Sequence, residues 1–206
     1  MFNLKASVAG VSFLALTAAA QASTNLVGDG SFSEGAGVGS FSTTLAGGNI
    51  GAWSVASGSV DLIGTYWAAP TGYSIDLDGN SPGAISQDLS LASGGYLLTF
   101  SLAGNPDGGS AIKSVEVAID GVPHDFTFNT TGQTRNSMGW VTESLYFSNT
   151  AATTTLSFTS KDDGGPYGAA LADISVTAVP EPEVAALMLA GLGMVGVMAS
   201  RRKRNV

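Results

Sequence analysis

The feature that most limits what this chain can become is the period of its apolar residues. Between residues 24 and 177 they alternate over short runs, and no stretch carries the three-to-four-residue spacing of a buried helix face. In Lys113 to Asp120, Val115, Val117 and Ile119 take one side, and Ser114, Glu116 and Asp120 the other. Tyr96, Leu98, Phe100 and Leu102 alternate with Thr99 and Ser101, and Leu156 and Phe158 with Ser157 and Thr159. Leu145 with Phe147, and Ile174 with Val176, extend the pattern. Successive side chains of a strand point to opposite faces, so each run reads as a strand with one side buried. Between the runs stand Asp78-Gly79-Asn80, Ser81-Pro82-Gly83, Asn105-Pro106-Asp107-Gly108-Gly109, Asp120-Gly121 and Asp162-Asp163-Gly164-Gly165-Pro166, all turn formers. Strands at this spacing predict an all-β fold, an antiparallel two-sheet β-sandwich. A first strand is expected at Asn25 to Val27, with Gly28 to Gly39 as a surface loop. No fixed-period repeat and no second domain are evident.

The two ends are of different character. Residues 1–22 place Lys5 before an apolar run and finish in Ala20-Gln21-Ala22, the order of a secretory signal peptide with a mature start at Ser23. Near the other end, Val184 to Ser200 is a run of 17 uncharged residues, followed at once by Arg201-Arg202-Lys203-Arg204. That length is at the short edge of a bilayer span, so a transmembrane helix is expected over about 184–200, with the basic tail on the cytoplasmic side. The chain thus divides into a signal peptide (1–22), a β-sandwich ectodomain (23–178) and a tail (179–206).

Immediately before the apolar run stands Val179-Pro180-Glu181-Pro182. Pro-Glu-Pro, a short Gly/Ala/Leu/Met-rich span and the terminal Arg201, Arg202, Lys203 and Arg204 together resemble the PEP-CTERM sorting signal. The resemblance implies an exosortase-type membrane protease as partner and anchoring in the inner membrane before processing. Delivery to the cell surface or extracellular matrix would follow. The body carries a second set of blocks: Asn25-Leu26-Val27, Gly30-Ser31-Phe32, Trp53-Ser54-Val55, Ser74-Ile75-Asp76-Leu77-Asp78-Gly79, Gly83-Ala84-Ile85-Ser86-Gln87, Ala103-Gly104-Asn105-Pro106-Asp107 and Ala170-Leu171-Ala172-Asp173-Ile174. Their order resembles the choice-of-anchor C family, which implies a jelly-roll body similar to galactose-binding-like domains.

Charge and composition then exclude whole classes of function. Residues 23–178 hold 14 acids against three cations (Lys113, Arg135 and Lys161), a net charge of −11, which repels phosphate backbones and argues against nucleic-acid binding. With no cysteine and one histidine, thiolate chemistry and the usual zinc sites are excluded. Calcium remains plausible, because carboxylates on tight turns beside free carbonyls suit a hard cation. Asp76 and Asp78, in Asp76-Leu77-Asp78-Gly79-Asn80, form one candidate pair. The resemblance to carbohydrate-binding jelly rolls, which often join their terminal strands through a structural calcium, implies Glu34 and Asp173 as another.

Neutral glycans are held by aromatic faces with amides and carboxylates around them, which makes Tyr66, Trp67, Trp140 and Tyr167 a candidate platform and Gln87, Asn105 and Asp107 its polar partners. Trp53 reads as core. Catalysis has little basis: no Gly-x-Ser-x-Gly elbow is present, and His124 and Asp125 are strand neighbours that diverge. The chain therefore reads as an exported, non-enzymatic β-sandwich whose body binds polysaccharide or exopolymer, with calcium as a possible structural cofactor. Its rivals are a structural matrix protein with a divalent-cation-binding acidic surface, and a weak glycoside hydrolase.

Overall fold

The computed structural model describes residues 24–35, 37–179 and 188–196. Twelve strands form among them: β1 (Phe41–Leu45), β2 (Asn49–Ile50), β3 (Trp53–Ser57), β4 (Ser59–Ile63), β5 (Ser74–Asp76), β6 (Ala84–Ser90), β7 (Gly94–Gly104), β8 (Ile112–Ile119), β9 (Val122–Asn129), β10 (Val141–Asn149), β11 (Thr153–Ser160) and β12 (Ala169–Val179). They make two six-stranded sheets, ordered β1-β4-β5-β12-β7-β10 and β2-β3-β6-β11-β8-β9, here sheets A and B. Every ladder pair is antiparallel. The fold is the antiparallel two-sheet sandwich that the alternation implies, of the jelly-roll type that the family resemblance implies.

The alternating runs fall where the pattern puts them. Val115, Val117 and Ile119 of β8, Tyr96, Leu98, Phe100 and Leu102 of β7, and Leu156 and Phe158 of β11 are all buried between the sheets. Their centre is aromatic. Phe158 meets Phe100 edge-on at 5.3 Å between ring centres and Trp53 at 5.9 Å, and Phe32 lies 5.9 Å from Trp53. Edge-on and tilted contacts of this kind suit the ring quadrupole and add to area burial. The β8–β9 hairpin turns on Asp120-Gly121, with φ of +49° and +76°. Positive φ at both central positions defines the tight turn whose twist matches paired strands, which is why Asp-Gly is favoured there.

The expected first strand does not form. Residues 25–27 make one backbone bond to β12, from Leu26 N to Val176 O at 2.8 Å, and the Asn25 side chain stands in for the rest of a ladder. Its Oδ1 accepts from Val176 N and Val27 N at 3.0 Å each, and its Nδ2 donates to Ile174 O at 3.0 Å. An amide that both donates and accepts can replace a strand residue.

The C-terminal segment also departs from expectation. The described residues 188–196 are helical. Among the described residues no helix is long and apolar enough to cross a membrane. The rest of the expected span over 184–200 lies outside the described residues, as do the signal peptide, Pro180 to Pro182 and Arg201 to Arg204. Val179 is the last residue of β12 and the register partner of Gly95.

Candidate functional site

Sheet A has two faces, and the register assigns their residues. Leu62, Ile75, Leu171 and Leu102 are partners across β4, β5, β12 and β7 and face the core beside Phe100. Asp61, Asp76, Ala170 and Ala103 are partners in the adjacent row, so they point the other way. That outer row is nonetheless buried, because two loops fold over it. Ala68 N donates to Arg135 O at 2.8 Å and Trp140 Nε1 to Ala68 O at 2.8 Å, tying the loop after β4 to the loop before β10. Trp67, buried beneath them, donates from Nε1 to Ser74 Oγ at 2.8 Å.

Where the cover stops, a cleft of about 240 Å³ opens on the outer face of β1, β4 and β5. Phe41, Tyr66, Trp67 and Tyr167 give it aromatic walls, and Thr43, Asp61, Asp76, Asn80 and Asn105 give it polar lining. Phe41 is 48% exposed and Tyr167 36%. Tyr66 is more engaged than an open platform requires. Arg135 Cζ sits 4.1 Å from its ring centre, Phe41 meets it edge-on at 5.4 Å, and its hydroxyl donates to Asp107 Oδ2 at 2.9 Å. Burial, with Asp107 beside it, raises the Tyr66 pKa. Arg135 Nε in turn donates to both oxygens of Asp107 at 2.9 Å.

Two carboxyl groups stand in the cleft as cross-strand neighbours, Asp61 on β4 and Asp76 on β5. Asp61 Oδ1 accepts from Thr43 Oγ1 at 2.5 Å; burial raises its pKa, and the Thr43 bond opposes the rise. Asp76 is fully committed: Oδ1 accepts from Asp78 N and Gly168 N at 3.0 Å each, and Oδ2 from Asn105 Nδ2 at 2.8 Å. Burial pushes Asp76 up to about 8 even so, because those donors recover only part of the lost hydration.

Behind the cleft lies a cluster of buried polar side chains. Neither oxygen of Asp78 has a hydrogen-bond partner among the described residues, and the side chain is fully buried. Burial pushes it to about 6, with nearby Asp162 adding to the rise and the Ser160 hydroxyl and Lys113 opposing it. Lys113, 1% exposed, donates from Nζ to Gly108 O at 2.8 Å and to Tyr167 O. It therefore fixes the backbone that carries one aromatic wall. Gly168 must be glycine: a Cβ there would stand 2.6 Å from Asp78 Cγ.

The expected site residues separate into three places. Tyr66, Trp67, Asn105, Tyr167 and Asp76 line the cleft, with Asp107 and Trp140 in the contacts that shape its rim. Glu34 and Asp173 line a second groove of about 440 Å³, together with Asp29. There Asp29 accepts from Glu34 N at 3.2 Å, Thr71 Oγ1 donates to Asp173, and a bulge in β12 turns Asp173 to a φ of +50°. Gln87 belongs to neither place. Its amide clamps the N-terminal segment to sheet B, accepting from Gly28 N at 2.7 Å and donating to Gly28 O and Ala52 O at 2.9 and 3.0 Å. Asp78 lies behind the cleft. Among the described residues no group of three or more acidic or histidine side chains is close enough to hold a metal. Sequence reasoning missed Phe41, Thr43, Asp61 and Asn80. The Thr43, Asp61 and Asp76 alignment is visible only once the strands are paired.

A jelly-roll body joined to a sorting tail defines the class, and comparison with known proteins places the chain within it. Residues 178–203 match the PEP-CTERM protein-sorting motif, which implies export and a surface location. Residues 25–177 match the family described as "Protein of unknown function (DUF642)", and the chain belongs to that family. A curated relative, halomucin of Haloquadratum walsbyi, is 30% identical over 185 residues, covering 85% of this chain and 2% of its own length.

Among solved structures, TmCBM61 in complex with β-1,4-galactotriose matches at 15% identity and a TM-score of 0.47, over 76% of this chain and 100% of its own. The family 35 module of Paenibacillus barcinonensis matches at 16% and 0.44, over 67% and 99%. A CBM36 module in complex with calcium and xylotriose matches at 14% and 0.41, over 66% and 96%. At these values the likenesses assign no ligand to this chain.

Proposed function

We propose that the body is a non-enzymatic glycan-binding module and that the cleft on the outer face of β1, β4 and β5 is its binding site. The observation that carries this reading is one small concavity holding both aromatic walls and hydroxyl-bonding groups. Aromatic faces take the apolar side of a sugar ring, and carboxylates and amides take its hydroxyls. A cleft of about 240 Å³ suits a short stretch of chain or a chain end. The three N–H donors on Asp76 engage both of its oxygens and fix the carboxyl in place, which supports a structural part in a binding site over that of a nucleophile.

The chain is exported and delivered to the cell surface or matrix, with an exosortase-type protease acting on its tail after transient anchoring in the inner membrane. Within the wider family its blocks fit the choice-of-anchor C type. The place for a calcium ion joining the terminal segments is the groove lined by Asp29, Glu34 and Asp173, where backbone carbonyls and water would have to supply most of the ligands, because no three acidic side chains among the described residues are close enough to hold a metal. A specific observation favours the matrix-protein rival: Arg135 stacks on Tyr66 and Trp67 is buried, so two expected platform rings are partly used in packing.

The test is calorimetric titration of the protein with a panel of polysaccharides, in calcium and again in chelator, for wild type, Phe41→Ala and Tyr167→Ala. Binding by the wild type that is lost in both variants is expected. Binding unchanged in both would overturn the site, and no binding by the folded protein would leave the matrix role.

A further inference from the structure

We propose that the glycan held in this cleft carries free amino groups, making the ligand a polymer or chain end that contains unacetylated hexosamine. The inference rests on the glycan reading above and specifies the chemical class.

Its basis is a charge imbalance at the cleft. Asp61 and Asp76 are direct partners across β4 and β5 and point to the same face. Like-charged groups directly opposite each other destabilise a sheet, and among the described residues no Lys, Arg or His lines the cleft to offset them. The two nearby cations are committed elsewhere. Arg135 is bonded to Asp107 and stacked on Tyr66, and Lys113 donates to the carbonyls of Gly108 and Tyr167.

Asp61 is the group that a ligand would meet. It is only 9% exposed and lines the cleft; Thr43 occupies Oδ1, and Oδ2 has no hydrogen-bond partner among the described residues. A half-satisfied, largely desolvated carboxylate gains most from a donor that also brings positive charge, because charge-assisted hydrogen bonds are roughly twice as strong as neutral ones. The walls agree with this chemistry. Phe41 and Tyr167, the two exposed rings of the cleft, accept the apolar face of a pyranose, and a ring face also attracts an ammonium.

Three other ligands fit less well. A uronate or sulfated sugar would meet two carboxyl groups with no cation beside them, on a body of strongly negative charge. An N-acetylated sugar lacks the charge and adds bulk to a small cleft. A divalent ion needs several free oxygens, and both oxygens of Asp76 are already engaged by N–H donors, with no metal-holding group of acids among the described residues.

The probes are trisaccharides of β-1,4-linked glucosamine, N-acetylglucosamine and glucose, titrated into the full chain with chelator present at about 0.3 M salt, where exposed charges are largely screened. A lysine trimer is the control for simple cation attraction. The glucosamine trimer is expected to bind at least about tenfold more tightly than the other two, as one charged hydrogen bond implies. In Asp61→Asn that preference should vanish, with weak binding of the glucose trimer kept. Equal affinity for the glucosamine and glucose trimers, a preference that survives in Asp61→Asn, or equal binding of the lysine trimer would overturn the amine assignment and leave glycan binding standing. Binding of none of the sugars would overturn both. If Asp61→Asn does not fold, the wild-type ranking of the three trisaccharides decides.

Discussion

The two faces of sheet A are both buried, and by opposite means. On the inner face Leu62, Ile75, Leu171 and Leu102 meet an aromatic cluster, and the side chains covered belong to apolar residues. On the outer face the same four strands present Asp61, Asp76, Ala170 and Ala103 under two loops, and the cover is held by side-chain hydrogen bonds. The inner face follows the ordinary rule that apolar area removed from water stabilises a fold. The outer face retains carboxyl groups that cost free energy to bury. Residues kept where they do not help stability mark the side of the sheet on which function is best sought.

The contrast can be broken most sharply from the inside. Phe158→Ala removes a ring packed on both Trp53 and Phe100 and should cost about 3–5 kcal/mol of stability in chemical denaturation. A loss below about 1 kcal/mol would mean that the inner face is not the stabilising one. Next in size is Lys113→Met, which keeps the length of the side chain and removes its bonds to Gly108 O and Tyr167 O. A cost of about 2 kcal/mol is expected from charged hydrogen bonds of this kind, together with weaker glycan binding because Tyr167 loses its support.

A gentler effect is a reversed pH dependence. Asp76 and Asp78 have folded values of about 8 and about 6 against an ordinary 3.8. An acid whose folded value is raised holds its proton more tightly when folded, so its contribution is full below about pH 4 and is lost as pH rises through the folded value. The melting temperature should therefore fall between pH 5 and pH 8. Asp78→Asn, at a carboxyl with no hydrogen-bond partner, should flatten the part of that fall below about pH 6 and leave the part due to Asp76. A melting temperature that rises steadily to pH 8 in the wild type would remove this picture of the outer face. Smallest of all should be the stability effect of Phe41→Ala, within about 0.5 kcal/mol for a rim side chain, while glycan binding is lost. That split between stability and binding is what separates a ligand wall from a packing residue.

Legibility in the sequence follows the same division. The strands of the inner face could be read because their burial is apolar on one side, and alternation records it directly: Val115, Val117 and Ile119 in β8 are an example. Asp120-Gly121 announced its turn for an equally local reason. Lys113 could not be read as buried, since its place depends on the carbonyls of Gly108 and Tyr167. Nor could Asp61, whose partners Thr43 and Asp76 lie 18 and 15 positions away and meet it only through the sheet register. Asn25 misled in the other direction, because its side chain does the work of a strand that is absent. Tyr66 and Trp67 do line the cleft, but how much of each ring the packing uses depends on Arg135 and Ser74.

The most direct test of the cleft as the glycan site is nuclear magnetic resonance titration of the isotope-labelled protein with the glucosamine trisaccharide, following the backbone amides. Shifts centred on Phe41, Thr43, Asp61, Asn80, Asn105 and Tyr167 are the result that the cleft requires. Shifts confined to Asp29, Glu34 and Asp173, or none at saturating sugar, would contradict it.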